Sequence, residues 1–187
     1  MAPDDRRAAI IEATIPLLRT RGWSVTVKEI SAAARIAEGT IFGVFSDKEE
    51  LVLAALRKAL DPDVVEEQLR AIDLGLPLEE RLLRAVEVLQ DLAMRAGELL
   101  TAMHLDTVRG RLPQRYSGDH FARNVLPRLF EGGDPLRLEP VAAGRALLAL
   151  VMGGTNSINF KKPMPATEIV DVLLGGIRVP PAPPRAG

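Results

Sequence analysis

The 187-residue chain contains no cysteine. That excludes disulfides, thiolate metal sites and a thiol nucleophile. Aromatic residues are scarce, 4% against 47% hydrophobic residues overall. The core must therefore come from Leu, Val, Ile and Ala, and the abundance of Ala and Leu favours helix. There are two imidazoles, His104 and His120. His104 is followed two positions on by Asp106, and His120 is preceded by Asp119. Side chains one or two apart on a helix diverge, so neither pair reads as a metal site. No Gly-rich phosphate loop, nucleophile constellation or paired-carboxylate site is present, so neither an enzyme nor a cofactor is expected. Long apolar runs are also missing. The longest candidates are broken by Arg145, Gly153 and Gly154, short of the ~20 residues that cross a bilayer. The opening MAPDDRRAAIIEA has acidic residues and no signal-peptide pattern. With the lack of cysteine, this leads to the expectation of a cytoplasmic protein with no membrane partner.

An excess of one charge sign is absent as well. Net charge is −1. Residues 1–60 hold nine Lys/Arg and eight Asp/Glu, and the remainder 15 and 17. Any contact with nucleic acid has to rest on geometry rather than bulk charge.

What is present is helical periodicity almost throughout. A first helix spans about 5–21, with Ile10, Ile11, Thr14, Leu17 and Leu18 on one stripe, a kink expected at Pro16 and Gly22 as its stop. Thr26-Val-Lys-Glu29 reads as a capping box that starts a second helix at Val27. Arg35-Ile36-Ala37 is a turn. A third helix follows over 38–45, with Ile41 and Phe45 turned inward. Ser46 or Asp47 caps a fourth, which runs to Leu60. Two short helices joined by a tight turn over 26–45 form the unit that sets one helix in the major groove of DNA.

Beyond Pro62 the pattern predicts helices over 64–74, 78–96, 98–108, 119–130 with a kink at Pro127, 139–152 and 166–177. Gly97 is expected to break or bend the chain between the second and third of these. The tail VPPAPPRAG is Pro-rich and reads as disordered. The expectation is an all-α chain of about nine helices in three parts. Residues 1–50 form the domain that carries the helix-turn-helix, 51–178 a larger helical domain, and 179–187 the tail.

The strings IIEATIPLLRTRGW and TVKEISAAARIAEGTIFGVFSDKEELVLAAL, over about residues 8–56, resemble the N-terminal domain of the TetR family of transcriptional regulators. PMPATEIVDVLLGGI is similar to that family's final helix. The resemblance implies a homodimer, joined through its last two helices, that represses from a palindromic operator in double-stranded DNA. It also implies release by a small-molecule effector, and it assigns ligand binding and dimerisation to residues 51–178. Carried onto this chain, DNA contacts fall on Thr26, Lys28, Glu38, Gly39, Thr40, Phe42, Gly43 and Lys48. Thr26 and Lys28 stand at a helix N-terminus, which favours phosphate. Gly39 permits close approach, and Thr40 can hydrogen-bond and offer a methyl group.

The chain also departs from the family pattern. The loop between Gly22 and Ile30 is one residue shorter. Arg35 stands where the family prefers Gly; a left-handed Arg costs about 1–2 kcal/mol. Ala37 replaces a capping Ser worth roughly 1 kcal/mol. Glu38 replaces a basic or polar residue and repels phosphate. Phe42 replaces Tyr, and Gly43 and Val44 replace larger residues. Only Thr40 and Glu38 can hydrogen-bond from the exposed face of the third helix.

Candidate effector-pocket residues are Met94, Leu99, Met103, His104, Phe121, Phe130, Met152 and Asn156, with Leu129, Leu148 and Asn159 beside them. An apolar cavity carrying a few polar groups is the usual form of such a site, and it would suit an apolar or amphipathic molecule. The bland reading of most of these residues is plain core. Trp23 reads as packing beneath the fourth helix. The competing function is a helical ligand- or protein-binding scaffold that kept the fold and lost operator recognition.

Overall fold

The computed structural model describes residues 3–103, 111–132, 135–155 and 161–178. Nine α-helices lie among them: α1 Pro3–Arg21, α2 Val27–Ala34, α3 Glu38–Phe42, α4 Lys48–Ala59, α5 Pro62–Arg70, α6 Leu78–Ala102, α7 Gly118–Asn124, α8 Pro140–Thr155 and α9 Ala166–Ile177. Among the described residues the only β pairing is a single bridge between Leu136 and Arg178. The all-α reading therefore holds. No helix among these residues is long and apolar enough to cross a membrane. The Pro-rich tail lies outside the described residues.

Two local expectations are corrected, at Gly97 and at Pro127, while Pro16 lies within a continuous α1. Pro16 and Glu12 are both exposed, so the carbonyl that loses its partner faces solvent. Gly97 neither ends nor breaks α6; the cost of about 1 kcal/mol for a helical glycine is offset by Leu99 and Met103, fully buried in the following turn. The stretch 119–130 is not one kinked helix. α7 stops at Asn124, and Pro127 opens a separate 3-10 turn, Pro127–Phe130. Proline has no N–H for the preceding turn, and its ring crowds that turn's carbonyl.

The chain divides into two compact units, Met1–Asp61 with Arg95–Tyr116, and Pro62–Met94 with Ser117–Gly187. In the first, α1 packs against α2 and α4, and α2 against α3. Its core holds Ile10, Leu18, Val25, Ile30, Ile41, Phe45, Leu51, Leu56, Leu99 and Met103. Buried Thr14 donates to the Ile10 carbonyl at 2.7 Å, so its hydroxyl is satisfied. Gly22 has φ +52°, and a Cβ there would fall 1.8 Å from the Ala102 carbonyl oxygen. The end of α1 and the end of α6 thus meet where only glycine fits.

In the second unit α8 packs against both α7 and α9, over a core of Leu82, Val86, Leu89, Phe121, Leu126, Leu147, Val151, Ile169 and Leu173 among others. Gly144 lets α8 approach closely: a Cβ there would sit 3.1 Å from the Leu126 Cβ. Arg81 is 3% exposed, and its guanidinium donates to the carbonyls of Glu131 and Gly132, each at 3.0 Å.

Leu99 serves the first unit's core rather than an open cavity. Leu99→Ala should therefore cost about 2–5 kcal/mol, read as a lowered urea midpoint. A shift under ~0.5 kcal/mol would mark a residue beside empty space.

Candidate nucleic-acid interface

The first half of the interface is the start of α2. Thr26 lies in extended backbone, and its Oγ1 accepts from the Glu29 amide at 3.2 Å. Glu29 Oε2 accepts in return from the Thr26 amide at 2.8 Å and from the Thr26 hydroxyl at 2.9 Å. The capping box is complete. The Thr26 amide bond, then the hydroxyl bond, and Arg21 nearby hold the Glu29 carboxyl below its ordinary range. Lys28, two positions after Thr26, is exposed.

The turn is made by Arg35, left-handed at φ 55°, ψ 45° and the only non-glycine residue of positive φ among those described. A left-handed L residue costs about 1–2 kcal/mol. Ala37 then begins α3 with no side-chain cap. Both departures read in the sequence are real in the structure. α3 is shorter than the expected 38–45: it ends at Phe42, and Gly43 continues into a turn that brings Phe45 into the core at 1% exposure. Ile41 faces inward, fully buried, while Glu38, Gly39, Phe42 and Gly43 are exposed and Thr40 is half-buried. A Cβ on Gly39 would meet nothing within 4 Å.

The start of α4 holds these pieces together. Asp47 caps it, its Oδ1 accepting from the Glu50 amide at 2.7 Å. Glu50 Oε2 accepts from the Ser46 amide at 2.8 Å and the Ser46 hydroxyl at 3.0 Å. Arg7, from α1, reaches the Glu50 Oε1 at 3.0 Å and the Val44 carbonyl at 3.2 Å, and lies 4.2 Å over the Phe45 ring. One guanidinium thus joins α1, the exit of α3 and the start of α4. The Ser46 amide and then Arg7 hold the Glu50 carboxyl below its ordinary range.

Lys48 is not a simple solvated cation. Its Nζ donates to the carbonyls of Trp23 at 2.8 Å and Val25 at 2.9 Å. It ties α4 to the loop before α2 and keeps one hydrogen for another acceptor. Trp23 is half-buried against the same core, as its packing role predicts. Its ring lies 5.9 Å from the Arg111 guanidinium, which also pairs with Glu49.

The eight DNA-contact candidates therefore lie on three neighbouring segments of one unit. Thr26 and Lys28 are at the start of α2, Glu38 to Gly43 on and just past α3, and Lys48 at the start of α4. Sequence reasoning missed Arg7, whose partners lie 37 and 43 positions away. The effector candidates are scattered. Leu99 and Met103 are core of the first unit, whereas Phe121 and Phe130, with Leu129, are core of the second. Met94 is exposed. Met152 lines an open cleft of about 310 Å³ with Gly118, Asp119, Ala122, Arg145, Leu148 and Ala149. His104, Asn156 and Asn159 lie outside the described residues. His120 hydrogen-bonds Glu66 at 2.7 Å and Asn124 at 3.1 Å, and among the described residues no cluster suits a metal ion.

Two helices joined at a left-handed turn, the second with one buried and one bare face, define a helix-turn-helix DNA-binding unit on an all-helical chain. Residues 10–55 match the family described as bacterial regulatory proteins, tetR family. The chain as a whole has the fold of solved TetR-family transcriptional regulators. A TetR-family regulator from Mesorhizobium loti shares 18% identity, with a TM-score of 0.69 over 96% of this chain and 100% of that one. A TetR-family regulator from Streptomyces coelicolor shares 23%, with a TM-score of 0.66 over 94% and 80%. The TetR-like regulator LfrR from Mycobacterium smegmatis, in complex with proflavine, shares 23%, with a TM-score of 0.57 over 94% and 96%. No curated protein matches the chain.

Both lowered carboxyls imply acid sensitivity. A depressed folded pKa stabilises above the unfolded value and loses that contribution as pH falls through the folded one. The Glu50 and Glu29 contributions should be complete at pH 7 and decline below about pH 4.5. In thermal melts, Glu50→Gln should lower the wild-type Tm at pH 7, and the gap should close toward pH 3. A gap that persists at pH 3 would show that Glu50 acts through packing rather than charge.

Proposed function

We propose that the chain is a ligand-responsive transcriptional repressor that binds a palindromic operator as a homodimer and is released by an apolar or amphipathic small molecule. The observation that carries the DNA reading is the bare face of α3. Gly39 has ordinary helical backbone and open space where its Cβ would be, so the fold itself does not require glycine there. A close-approaching DNA backbone or base edge accounts for it. Thr26 and Lys28 offer a helix N-terminus and a cation to phosphate, and Lys48 adds its remaining hydrogen while holding that terminus in place.

The homodimer reading rests on the same kind of vacancy in the second unit. α8 exposes Ala142, Arg145, Ala149 and Met152, and α9 exposes Val172, Gly175 and Gly176. A Cβ on Gly153, Gly175 or Gly176 would meet nothing within 4 Å. Small residues on two adjacent helices suit tight crossing by a second copy. A twofold pair places half-sites roughly 34–36 Å apart. Val172→Asp should yield a folded monomer by sedimentation and lower operator affinity. A dimer of undiminished strength would move the interface elsewhere. The proflavine complex of LfrR, whose ligand is a planar aromatic cation, supports an amphipathic aromatic effector for this fold.

The deciding experiment is selection of genomic fragments on the purified protein, followed by affinity measurement with Gly39→Ala. Alanine should raise stability by about 0.5–1 kcal/mol and weaken operator binding by roughly tenfold, a bulk penalty of about 1.4 kcal/mol. Equal affinity would end the close-approach argument. Retention of no fragment at low salt would favour the scaffold reading, to which the uncapped α3 and strained Arg35 lend weight.

A further inference from the structure

The exposed side of α3 is chemically narrow. Glu38, its first residue, is exposed, and its carboxylate takes no hydrogen bond or ion pair among the described residues. Phe42, four positions on, is 54% exposed, an unusual placement for an aromatic ring in a chain with five phenylalanines. Residues i and i+4 share a helix face, about 6 Å apart along the axis. Between and beyond them stand Gly39 and Gly43, which project nothing. α3 carries no cation.

Each group has a restricted choice of partner in a major groove. A carboxylate only accepts. Stripped of water beside DNA, it must meet a donor, and the groove offers two, the amino groups of cytosine and adenine. Adenine sets its N7 acceptor beside that amino group, which opposes a carboxylate; cytosine presents the amino group with no acceptor on the same base. An aromatic ring complements the one apolar group there, the thymine methyl. A separation of about 6 Å corresponds to roughly two base steps of 3.4 Å.

We infer that Glu38 and Phe42 set the base preference of the operator. Glu38 selects a cytosine by accepting from its N4 amino group, and Phe42 selects a thymine about two base steps away through its methyl group. The inference rests on the operator-binding reading above and adds the bases read.

The test uses the full-length protein with duplexes selected from a random library. Wild type should select half-sites bearing a cytosine and a thymine at that spacing. Replacing the cytosine by N4-methylcytosine blocks the groove hydrogen of the amino group while leaving base pairing, and it should weaken wild-type binding about tenfold. Glu38→Ala should bind the normal and methylated duplexes equally. Glu38→Gln should shift the preference to adenine, which a carboxamide meets at both N6 and N7. Replacing the thymine by deoxyuridine, which lacks the methyl group, should weaken wild type and leave Phe42→Ala unaffected. If Glu38→Ala binds DNA and keeps the same cytosine preference, the inference falls and the operator reading stands. If wild type selects no duplex at all, both fall.

Discussion

A five-residue helix cannot hold itself together in water. Helix nucleation fixes several residues for one hydrogen bond, so pieces this short depend on tertiary contacts. α3 has two further handicaps, since Ala37 gives it no cap and Arg35 enters it from a left-handed conformation. Its position is therefore imposed from outside. Ile41 and Phe45 are sunk in the first unit's core, and Arg7 grips the Val44 carbonyl just past its end. Everything that α3 presents to a partner depends on that grip.

The same guanidinium lies against the Phe45 ring and pairs with Glu50, whose other oxygen closes the start of α4 through Ser46. Lys48 does the corresponding work on the other side, pinning the loop before α2 through two carbonyls. Charged groups in this domain thus act first as organisers of backbone. Arg7 is spent on a carboxylate and a carbonyl, and Lys48 on two carbonyls. This agrees with a near-neutral chain whose contact with DNA must come from geometry.

Local chemistry was legible in the sequence, and long-range chemistry was not. The Thr26–Glu29 box, the Asp47 cap, the strained Arg35 and the bare Ala37 each involve residues within four positions, where spacing implies geometry. Ile41 and Phe45 followed from helical periodicity. Arg7 with Val44, Lys48 with Trp23, and Arg81 with Glu131 are separated by 25 to 50 positions, and nothing in composition pairs them. The effector residues were the hardest case. Leu99 and Met103 are apolar residues on a periodic helix whichever unit they serve. Their burial beside Ile10, Leu18 and Phe45, and the close meeting of Gly22 with Ala102, show that the end of α6 belongs to the first unit's core.

Glycines divide this molecule into an inner and an outer set. Gly22, Gly144 and Gly154 are filled against: a Cβ would strike the Ala102 carbonyl, Leu126 or Met164. Their smallness is consumed within the chain. Gly39, Gly97, Gly153, Gly175 and Gly176 face open space, with no left-handed φ to justify them. Each sits in a helix, where glycine costs up to ~1 kcal/mol relative to alanine. Gly39 lies on α3 and Gly153, Gly175 and Gly176 on α8 and α9, two surfaces where close approach by a partner would offset that cost. One surface is the bare face of a recognition helix and the other the outer side of α8 and α9. A regulator that reads DNA as a twofold pair needs both. A scaffold without operator recognition has use for the second alone, so the vacancy at Gly39 is the feature on which the two readings part.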